Sequence, residues 1–416
     1  MVGGSLTYAK VSADGPAFGF SSFVAEERNG VWQPSRALTG LAAQFATTHD
    51  GIQSLSCSSQ GACAAVGEYG TRSSRGVFVV TERDGHWGTA IPVPGLARLG
   101  TNAAVQANGL ACWTAGNCLL AGTYGPAATT GSDGGHVFWA SEVSGAWGPA
   151  VSLADPPGLG TGVSASVTGV ACSHDGGCVI AADYTDAAHQ DHEVLSTVTG
   201  GKLATSTELG QAMISAVSCP SAGACVAAGI DSGHAQAVAF ASHGRTWSTT
   251  QVPGLDSPSG LACTGPGTCT MSGVSSAAGN PAAVASQVSG TWRPSVALPG
   301  AASLRGAQLT LLSCADARDC VTGGYADTGQ RDARGILTSQ PFIAVEKAGT
   351  WSAARDVPGI AGLAGGRGSS LTAIACPAPG AWIAAGNYDP GQAISAEDSF
   401  LGLTSSLVPF VIASAS

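Results

Sequence analysis

The amino-acid sequence predicts an all-β fold, a seven-bladed β-propeller with four antiparallel strands in each blade. Three observations lead to this prediction: a cysteine pair that recurs at a fixed spacing, a Gly-x-Trp motif that alternates with it, and a composition rich in glycine and poor in charge. Repeats of about 40–50 residues that each contain four short strands are typical of propeller blades. Eight blades are the alternative, because both ends of the chain offer further strands.

The cysteine pairs share the spacing Cys-x5-Cys. They are Cys57/Cys63, Cys112/Cys118, Cys172/Cys178, Cys219/Cys225, Cys263/Cys269 and Cys314/Cys320. A seventh copy begins at Cys376, where Trp382 replaces the second cysteine. Five residues between two cysteines of a hairpin place them opposite each other, close enough for a disulfide. Zinc is the alternative, but no repeat supplies further ligands consistently. We therefore expect six disulfides, one free thiol at Cys376 packed as a small hydrophobe against Trp382, and a secreted or cell-surface protein.

The Gly-x-Trp motif follows the third strand of each repeat. Its copies are centred on Trp32, Trp87, Trp147, Trp247, Trp292 and Trp351, with Gly201-Lys202-Leu203 in the fourth position. In the first complete repeat, strand A ends at Cys57, strand B begins at Cys63, strand C is Val77–Val80 and strand D follows Trp87. Short runs of β-branched, aromatic and small residues between glycine-rich turns support these strands.

The order of the half-repeats predicts how the chain closes on itself. It begins with a Gly-x-Trp half-repeat and ends with a cysteine half-repeat, so residues 1–416 are expected to form one domain. The N-terminal strands, at about 1–40, would pair with the C-terminal repeat, at about 371–403, and remove an open sheet edge. The additional strands that would make an eighth blade lie near Thr7–Tyr8, at Phe23–Val24 and at Ser399–Leu401.

Composition limits the function. Charged residues make up 11% of the chain and the formal net charge is −10, which argues against a nucleic-acid binder because such a protein needs a basic face. We expect no membrane-spanning helix, because no apolar run is long enough. The first ten residues do not have the pattern of a signal peptide. No P-loop, dinucleotide fingerprint or nucleophile elbow is present, and we expect no cofactor.

The B–C and D–A loops are predicted to lie on one face and to carry the binding site. They are longer and more varied than the other turns, and variable loops on a rigid scaffold commonly bind ligands. One B–C loop is rich in metal-type residues, although no metal motif fits it and a solvated polar loop is the simpler interpretation. These residues are Asp183, Asp186, His189, Asp191, His192 and Glu193.

Two further groups of residues could bind a ligand. Arg98, Arg305 and Arg367 lie in three D–A loops and could bind one anion if they converged. We expect that they do not converge, because their loops differ in length. A tyrosine follows strand B in five repeats and could line a sugar pocket, but its recurrence favours a structural role between blades. These are Tyr69, Tyr124, Tyr184, Tyr325 and Tyr388.

The order of strands and Gly-x-Trp turns resembles the Asp-box superfamily of propellers, the BNR or sialidase-like type. The matching segments are Ala65-Val66-Gly67, Gly85-His86-Trp87 and Ser242–Trp247, with Ser242 where an Asp-box has Asp. The chain also resembles secreted bacterial propellers with one disulfide in each repeat. For a sialidase, the resemblance implies an arginine triad on a carboxylate, a tyrosine with a carboxylate partner and an acidic Asp. The three arginines are the candidates for the triad, and the sequence assigns neither the tyrosine with its partner nor the acidic Asp.

The sequence therefore predicts a monomeric, non-catalytic propeller outside the cytoplasm that binds a glycan or a protein through its B–C and D–A loops. A sialidase-like hydrolase is the first alternative. A structural or adhesive module of a larger surface protein is the second.

Overall fold

The structure, a computed structural model, describes residues 2–12, 15–25, 27–28, 31–32, 36–40, 49–71, 74–100, 103–126, 135–156, 164–186, 188–210, 212–231, 236–244, 246–331, 335, 337–357, 359–360, 368–388 and 408–414. The chain divides into two compact units. The first contains Met1–Cys225 and Ser242–Trp247, and the second contains Val226–Ala241 and Ser248–Ser416.

The N-terminal segment of the first unit forms a three-stranded antiparallel sheet and a short ribbon. The sheet contains β1 (Val2–Ser12), β2 (Gly15–Ala25) and β5 (Arg36–Ala37), and the ribbon contains β3 (Glu27–Arg28) and β4 (Val31–Trp32). Strands β1 and β2 cover the two N-terminal strand candidates, and they pair with each other, with Gly4 opposite Phe23. This sheet is additional to those that carry the cysteine half-repeats.

Three antiparallel sheets follow in the first unit, one for each of its first three cysteine pairs. The first contains β6 (His49–Ser59), β7 (Ala62–Thr71), β8 (Ser74–Arg83), β9 (His86–Trp87) and β10 (Ile91–Pro92). The second contains β11 (Ala103–Thr114), β12 (Asn117–Pro126), β13 (His136–Val143), β14 (Ala146–Trp147) and β15 (Val151–Ser152). The third contains β16 (Ser164–Cys172), β17 (Gly177–Thr185), β18 (Asp191–Thr199) and β19 (Lys202–Glu208). A 3-10 helix, Leu96–Arg98, lies between the first two sheets.

The boundary between the units passes through the fourth repeat. Its strands are β20 (Ala212–Ser218), β21 (Val226–Asp231), β22 (Gln236–His243) and β23 (Thr246–Gln251). The second unit continues with β24 (Leu255–Gly265), β25 (Thr268–Ser275), β26 (Ala282–Val288), β27 (Thr291–Trp292) and β28 (Val296–Ala297). After a 3-10 helix, Ala301–Ser303, come β29 (Gln308–Asp316), β30 (Asp319–Arg331), β31 (Leu337–Lys347), β32 (Thr350–Trp351) and β33 (Arg355–Asp356). The last sheet contains β34 (Ser369–Ala378), β35 (Ala381–Tyr388) and β36 (Val408–Ala413).

The seven cysteine half-repeats define seven blades, and the fold is the predicted seven-bladed β-propeller of mainly four-stranded antiparallel sheets. Helix is almost absent from the part of the chain that the structure describes. Within the described residues, no helix is long and apolar enough to cross a membrane.

The third strand of the last blade is β36, with Phe410 opposite Gly386. The sequence predicts Ser399–Leu401 or N-terminal strands for this position. Ser399–Leu401 lies outside the described residues, whereas the chain's own C-terminal segment provides the strand beside β35. Closure of the ring between residues 1–40 and 371–403 stays a prediction.

A glycine of strand B faces a phenylalanine of strand C in four blades. At Gly122, a Cβ atom would lie 2.1 Å from the carbonyl oxygen of Gln106 and 2.8 Å from the ring of Phe138. A residue with a side chain therefore does not fit, and the phenylalanine covers the space above the glycine. The four pairs are Gly67/Phe78, Gly122/Phe138, Gly324/Phe342 and Gly386/Phe410.

All six predicted disulfides are present, with Cα atoms 3.9–4.0 Å apart. Five of them join register partners of strands A and B. Cys376 is free and half-buried, in a cluster that also contains the buried Trp382. Six disulfides indicate an oxidising environment, as in extracellular proteins.

The two cysteines of a bridge differ in burial, which the spacing of the pairs does not predict. The first cysteine is at least partly exposed in every pair but Cys219/Cys225, whereas the second is always buried. The buried second cysteines are Cys63, Cys118, Cys178, Cys225, Cys269 and Cys320. Two of them pack in hydrophobic clusters, Cys118 with Leu120 and Cys178 with Ile180. The second cysteine of each bridge is therefore part of the core, and the predicted disulfides fix the A–B hairpins from inside the blades.

Alkylation of the denatured, unreduced protein is expected to label one cysteine, Cys376, because the other twelve are bridged. Peptide mass spectrometry with and without prior reduction measures this directly. A Cys376→Ser variant should take up no label. Labelling of several cysteines in protein isolated from its native compartment would contradict both the pairing and the oxidising compartment.

Candidate functional site

The predicted acidic loop of the third blade is a tight hairpin between β17 and β18. Asp183 pairs with Glu193, and Tyr184 pairs with His192, so four of the six predicted residues lie on strands. Asp186 and residues 188–190 lie in the connection. The register therefore places Asp183 opposite Glu193, and Asp191 opposite Thr185.

Asp186 organises the hairpin connection. Its Oδ1 atom accepts hydrogen bonds from the backbone N–H groups of Ala188 at 2.8 Å and Gln190 at 2.9 Å. The hydrogen bond from the backbone N–H of Gln190 is the largest influence that lowers the pKa of Asp186. The hydrogen bond between Asp186 and His192 also lowers this pKa. The carboxylate is therefore held ionised while the hairpin is closed.

His192 bridges two carboxylates. Its Nδ1 lies 2.8 Å from Oε1 of Glu208, and its Nε2 lies 3.3 Å from Oδ2 of Asp186. Both ring nitrogens can donate only when the imidazole is protonated. Glu208, followed by Asp186, raises the pKa of His192. Glu208 was missed in the sequence because it lies on β19, after a complete strand and turn.

Replacing Glu208 by Gln is expected to lower the pKa of His192, because the largest influence that raises it is removed. The measurement is a pH titration of the His192 ring signals by NMR. Replacing the exposed Asp84 by Asn is the control and should leave the titration of His192 unchanged. An unaltered His192 titration in Glu208→Gln would contradict the hydrogen-bonded pair.

Asp183 and Glu193 form a pair of carboxyl groups inside the blade. Glu193 is 1% exposed, and its Oε2 accepts a hydrogen bond from the backbone N–H of Ile214 at 3.1 Å. Burial raises the pKa of Glu193 to about 8, and the charge of Asp183 acts in the same direction. Burial also raises the pKa of Asp183, followed by the charge of Asp191. Glu193 thus links strand C of one blade to β20 and holds a proton at neutral pH.

A second buried acidic group, Glu142, also connects two blades. Oε1 of Glu142 accepts a hydrogen bond from Thr81 at 2.9 Å, and the indole N–H of Trp147 donates to the same hydroxyl at 3.2 Å. Burial raises the pKa of Glu142 and raises that of Glu346 to about 7. This strand C position is opposite the tryptophan of Gly-x-Trp in four blades. The residues are Glu82, Glu142, Gln287 and Glu346.

A second polar cluster lies in the second blade, where the B–C and D–A segments meet. His136, at the start of strand C, places its Nδ1 2.7 Å from Oδ2 of Asp155, which follows strand D. The ring of Tyr124 lies 5.3 Å from that of His136, and its hydroxyl donates to Ser152 at 2.9 Å. His136 and Asp155 are partly exposed. Tyr184, at the same repeat position as Tyr124, is fully buried.

The predicted arginines have different surroundings. Arg98 ends a 3-10 helix of the first unit and is exposed. Arg305 is exposed in the second unit, and its carbonyl oxygen accepts a hydrogen bond from the N–H of Asp327 at 2.8 Å. Arg367 lies outside the described residues. That the three arginines do not converge on one anion therefore stays a prediction.

In the described part of the chain, no three His, Cys, Asp or Glu residues are placed so that they could hold a metal ion. Asp186 and Glu208 instead each hydrogen-bond to a ring nitrogen of His192, and His189 is exposed.

No family model matches the sequence, and no curated protein matches it. Among solved structures, the Dos1 propeller is similar at a TM-score of 0.50 and 12% identity, over 88% of this chain and 86% of that one. YCF48 from Cyanidioschyzon merolae is similar at a TM-score of 0.43 and 12% identity, over 80% and 92% of the two chains. A Trypanosoma rangeli sialidase in complex with sialic acid gives a TM-score of 0.40 at 12% identity, over 82% and 58%. At such identities the similarity shows the propeller fold alone.

Proposed function

We propose that this protein is a non-catalytic β-propeller outside the cytoplasm, and that it binds a glycan or protein partner through its B–C and D–A segments. The observation that carries the proposal is the pair of polar clusters at these segments. We call the two clusters together the loop surface. It consists of Tyr124, His136 and Asp155 of the second blade and Asp186, His192 and Glu208 of the third.

The chemistry of the loop surface suits binding. An aromatic ring beside polar groups is a common arrangement in sugar and peptide sites. His136, Asp155, His192 and Asp186 are partly exposed, and their mutual hydrogen bonds hold them in place before a ligand arrives. Such preorganisation reduces the entropic cost of binding.

A hydrolase of sialidase-like type is the alternative, and the raised pKa of Glu193 favours it because general acids often have raised pKa values. Glycoside hydrolysis needs two carboxyl groups beside the scissile bond. Glu193 is buried and accepts a hydrogen bond from the backbone of Ile214, so it supports the packing of blades and does not face a substrate. A structural or adhesive module, the remaining alternative, would bind no ligand at the loop surface.

The test combines a glycan array, a peptide array and a panel of chromogenic glycosides. We expect binding on one array and no glycoside turnover. The double variant Tyr124→Ala/His192→Ala should lose the binding, whereas Thr199→Ala, an exposed residue at a C–D turn, should retain it. Turnover that disappears in Arg305→Ala or Glu193→Gln would favour the hydrolase. Binding to neither array would favour the structural module.

A further inference from the structure

Strand A carries a β-bulge at one repeat position, four residues before the first cysteine. In the second blade, for example, the register shifts between Ala107 and Gly109, which makes Asn108 the extra residue. A bulge of this kind changes the direction of a side chain, and such bulges are frequent next to functional sites. The extra residues are Gln53, Asn108, Thr168, Ser259, Thr310 and Thr372, and Ser215 has the same position in the fourth repeat.

All seven residues are uncharged and can both donate and accept hydrogen bonds. The exposed members include Gln53, Asn108 and Ser215 in the first unit, and Thr310 and Thr372 in the second. Among the described side chains of the seven A strands, the charged ones are Asp256 and Asp316 of the second unit, both only partly exposed, and none is charged on the four A strands of the first unit. The chain has a formal net charge of −10, so its charge is concentrated elsewhere.

Neighbouring A strands lie side by side within each unit. In the first unit, β6 contacts β11, β11 contacts β16 and β16 contacts β20. The residues Gln53, Asn108, Thr168 and Ser215 therefore occupy equivalent positions on four adjacent strands, and we call this set the bulge row. The second unit repeats the arrangement on β24, β29 and β34.

Local structure accounts for only part of this pattern. The hydroxyls of Ser259 and Thr372 each donate to a strand B carbonyl, those of Ser272 and Ala385, at 3.4 Å. A short hydroxyl side chain suits that role. The longer amides Gln53 and Asn108 are exposed, and neither amide side chain hydrogen-bonds to another described residue.

We propose that the bulge row binds an uncharged, hydroxyl-rich ligand, namely a neutral oligosaccharide. This inference goes beyond the proposed function, because it assigns a ligand to a surface other than the loop surface and names the chemical class of that ligand. Amide and hydroxyl groups match sugar hydroxyls, because both partners donate and accept. No charged side chain must lose its hydration when such a ligand binds. The negative net charge of the protein gives no general attraction for anionic sugars.

The experiment is isothermal titration calorimetry of the intact protein with cellohexaose, maltohexaose and hexa-N-acetylchitohexaose, with 3′-sialyllactose as the anionic comparison. We expect at least one neutral hexasaccharide to bind and 3′-sialyllactose not to bind. The double variant Gln53→Ala/Asn108→Ala should weaken binding by about tenfold or more, since it removes several hydrogen bonds. Asn108→Asp, which keeps the shape and adds a charge, should also weaken it. Thr199→Ala is the matched control and should bind as the wild type does.

The two proposals fail in different ways. If a neutral hexasaccharide binds and only Tyr124→Ala/His192→Ala abolishes binding, the bulge row is wrong and the loop surface stands. If only the Gln53 and Asn108 variants abolish binding, the bulge row stands and the loop surface is wrong. If none of the neutral hexasaccharides binds, or if 3′-sialyllactose binds more tightly, the inference about the bulge row is overturned. Thermal unfolding of each variant confirms that it is folded.

Discussion

Lowering the pH from 8 to 5 is expected to stabilise the folded protein, and Glu193 is the main cause. Burial raises the pKa of this residue from its ordinary 4.5 to about 8. Between these two values the folded state holds a proton that the unfolded chain has released. The free energy of unfolding therefore falls as the pH rises through this window and recovers on acidification.

The size of the effect follows from the pKa difference. A difference of one corresponds to about 1.4 kcal/mol, so Glu193 can contribute on the order of 2–5 kcal/mol across the window. Glu346, with its pKa raised to about 7 by burial, and His192, with its pKa raised by Glu208, act in the same direction. The lowered pKa values of Asp175 and Asp186 matter only in more acidic solution, where protonation removes their contribution.

The measurement is urea unfolding between pH 5 and pH 8 for the wild type and for Glu193→Gln. Gln keeps an acceptor for the N–H of Ile214 and cannot ionise, so this variant should lose most of the pH dependence and gain stability at pH 8. Asp84→Asn, at an exposed turn, should keep the dependence of the wild type. A wild-type protein that is more stable at pH 8 than at pH 5 would contradict the prediction.

Replacing Gly122 by Ala is expected to destabilise the protein by about 2–4 kcal/mol, because overpacking of a full core forces the backbone to move. The added Cβ would lie 2.1 Å from the carbonyl oxygen of Gln106 and 2.8 Å from the buried ring of Phe138. Replacing the ring by a smaller side chain, in the double variant Gly122→Ala/Phe138→Leu, should not restore stability. The carbonyl oxygen of Gln106 belongs to the neighbouring strand and remains in place.

Gly265→Ala is the matched control. This glycine also lies on a strand, and a Cβ added there would have no atom within 4 Å. We expect its unfolding midpoint in urea to stay close to that of the wild type. Equal losses of stability in Gly122→Ala and Gly265→Ala would show that the close contact at Gly122 is not the cause.

The repeats made the fold and the disulfides predictable. Each cysteine pair lies in one hairpin, so its spacing alone places both residues opposite each other. The last strand was also visible in principle, because Pro409-Phe410-Val411 repeats Pro341-Phe342-Ile343. It was not predicted from the sequence, because the stretch of sequence between Tyr388 and Val408 is much longer than the connection between strands B and C in the other blades.

Spacing along the chain was sufficient for the blade pattern and the cysteine bridges, because these depend on neighbours in sequence. Packing in three dimensions set which cysteine of each bridge is buried, which acidic residues serve packing and which face solvent. Glu193 depends on Ile214 of the next repeat, and His192 depends on Glu208 across a complete strand. Such pairs are set by the register of strands and by burial, because a carboxyl group changes its pKa only when its surroundings change. Linear spacing carries no record of these surroundings.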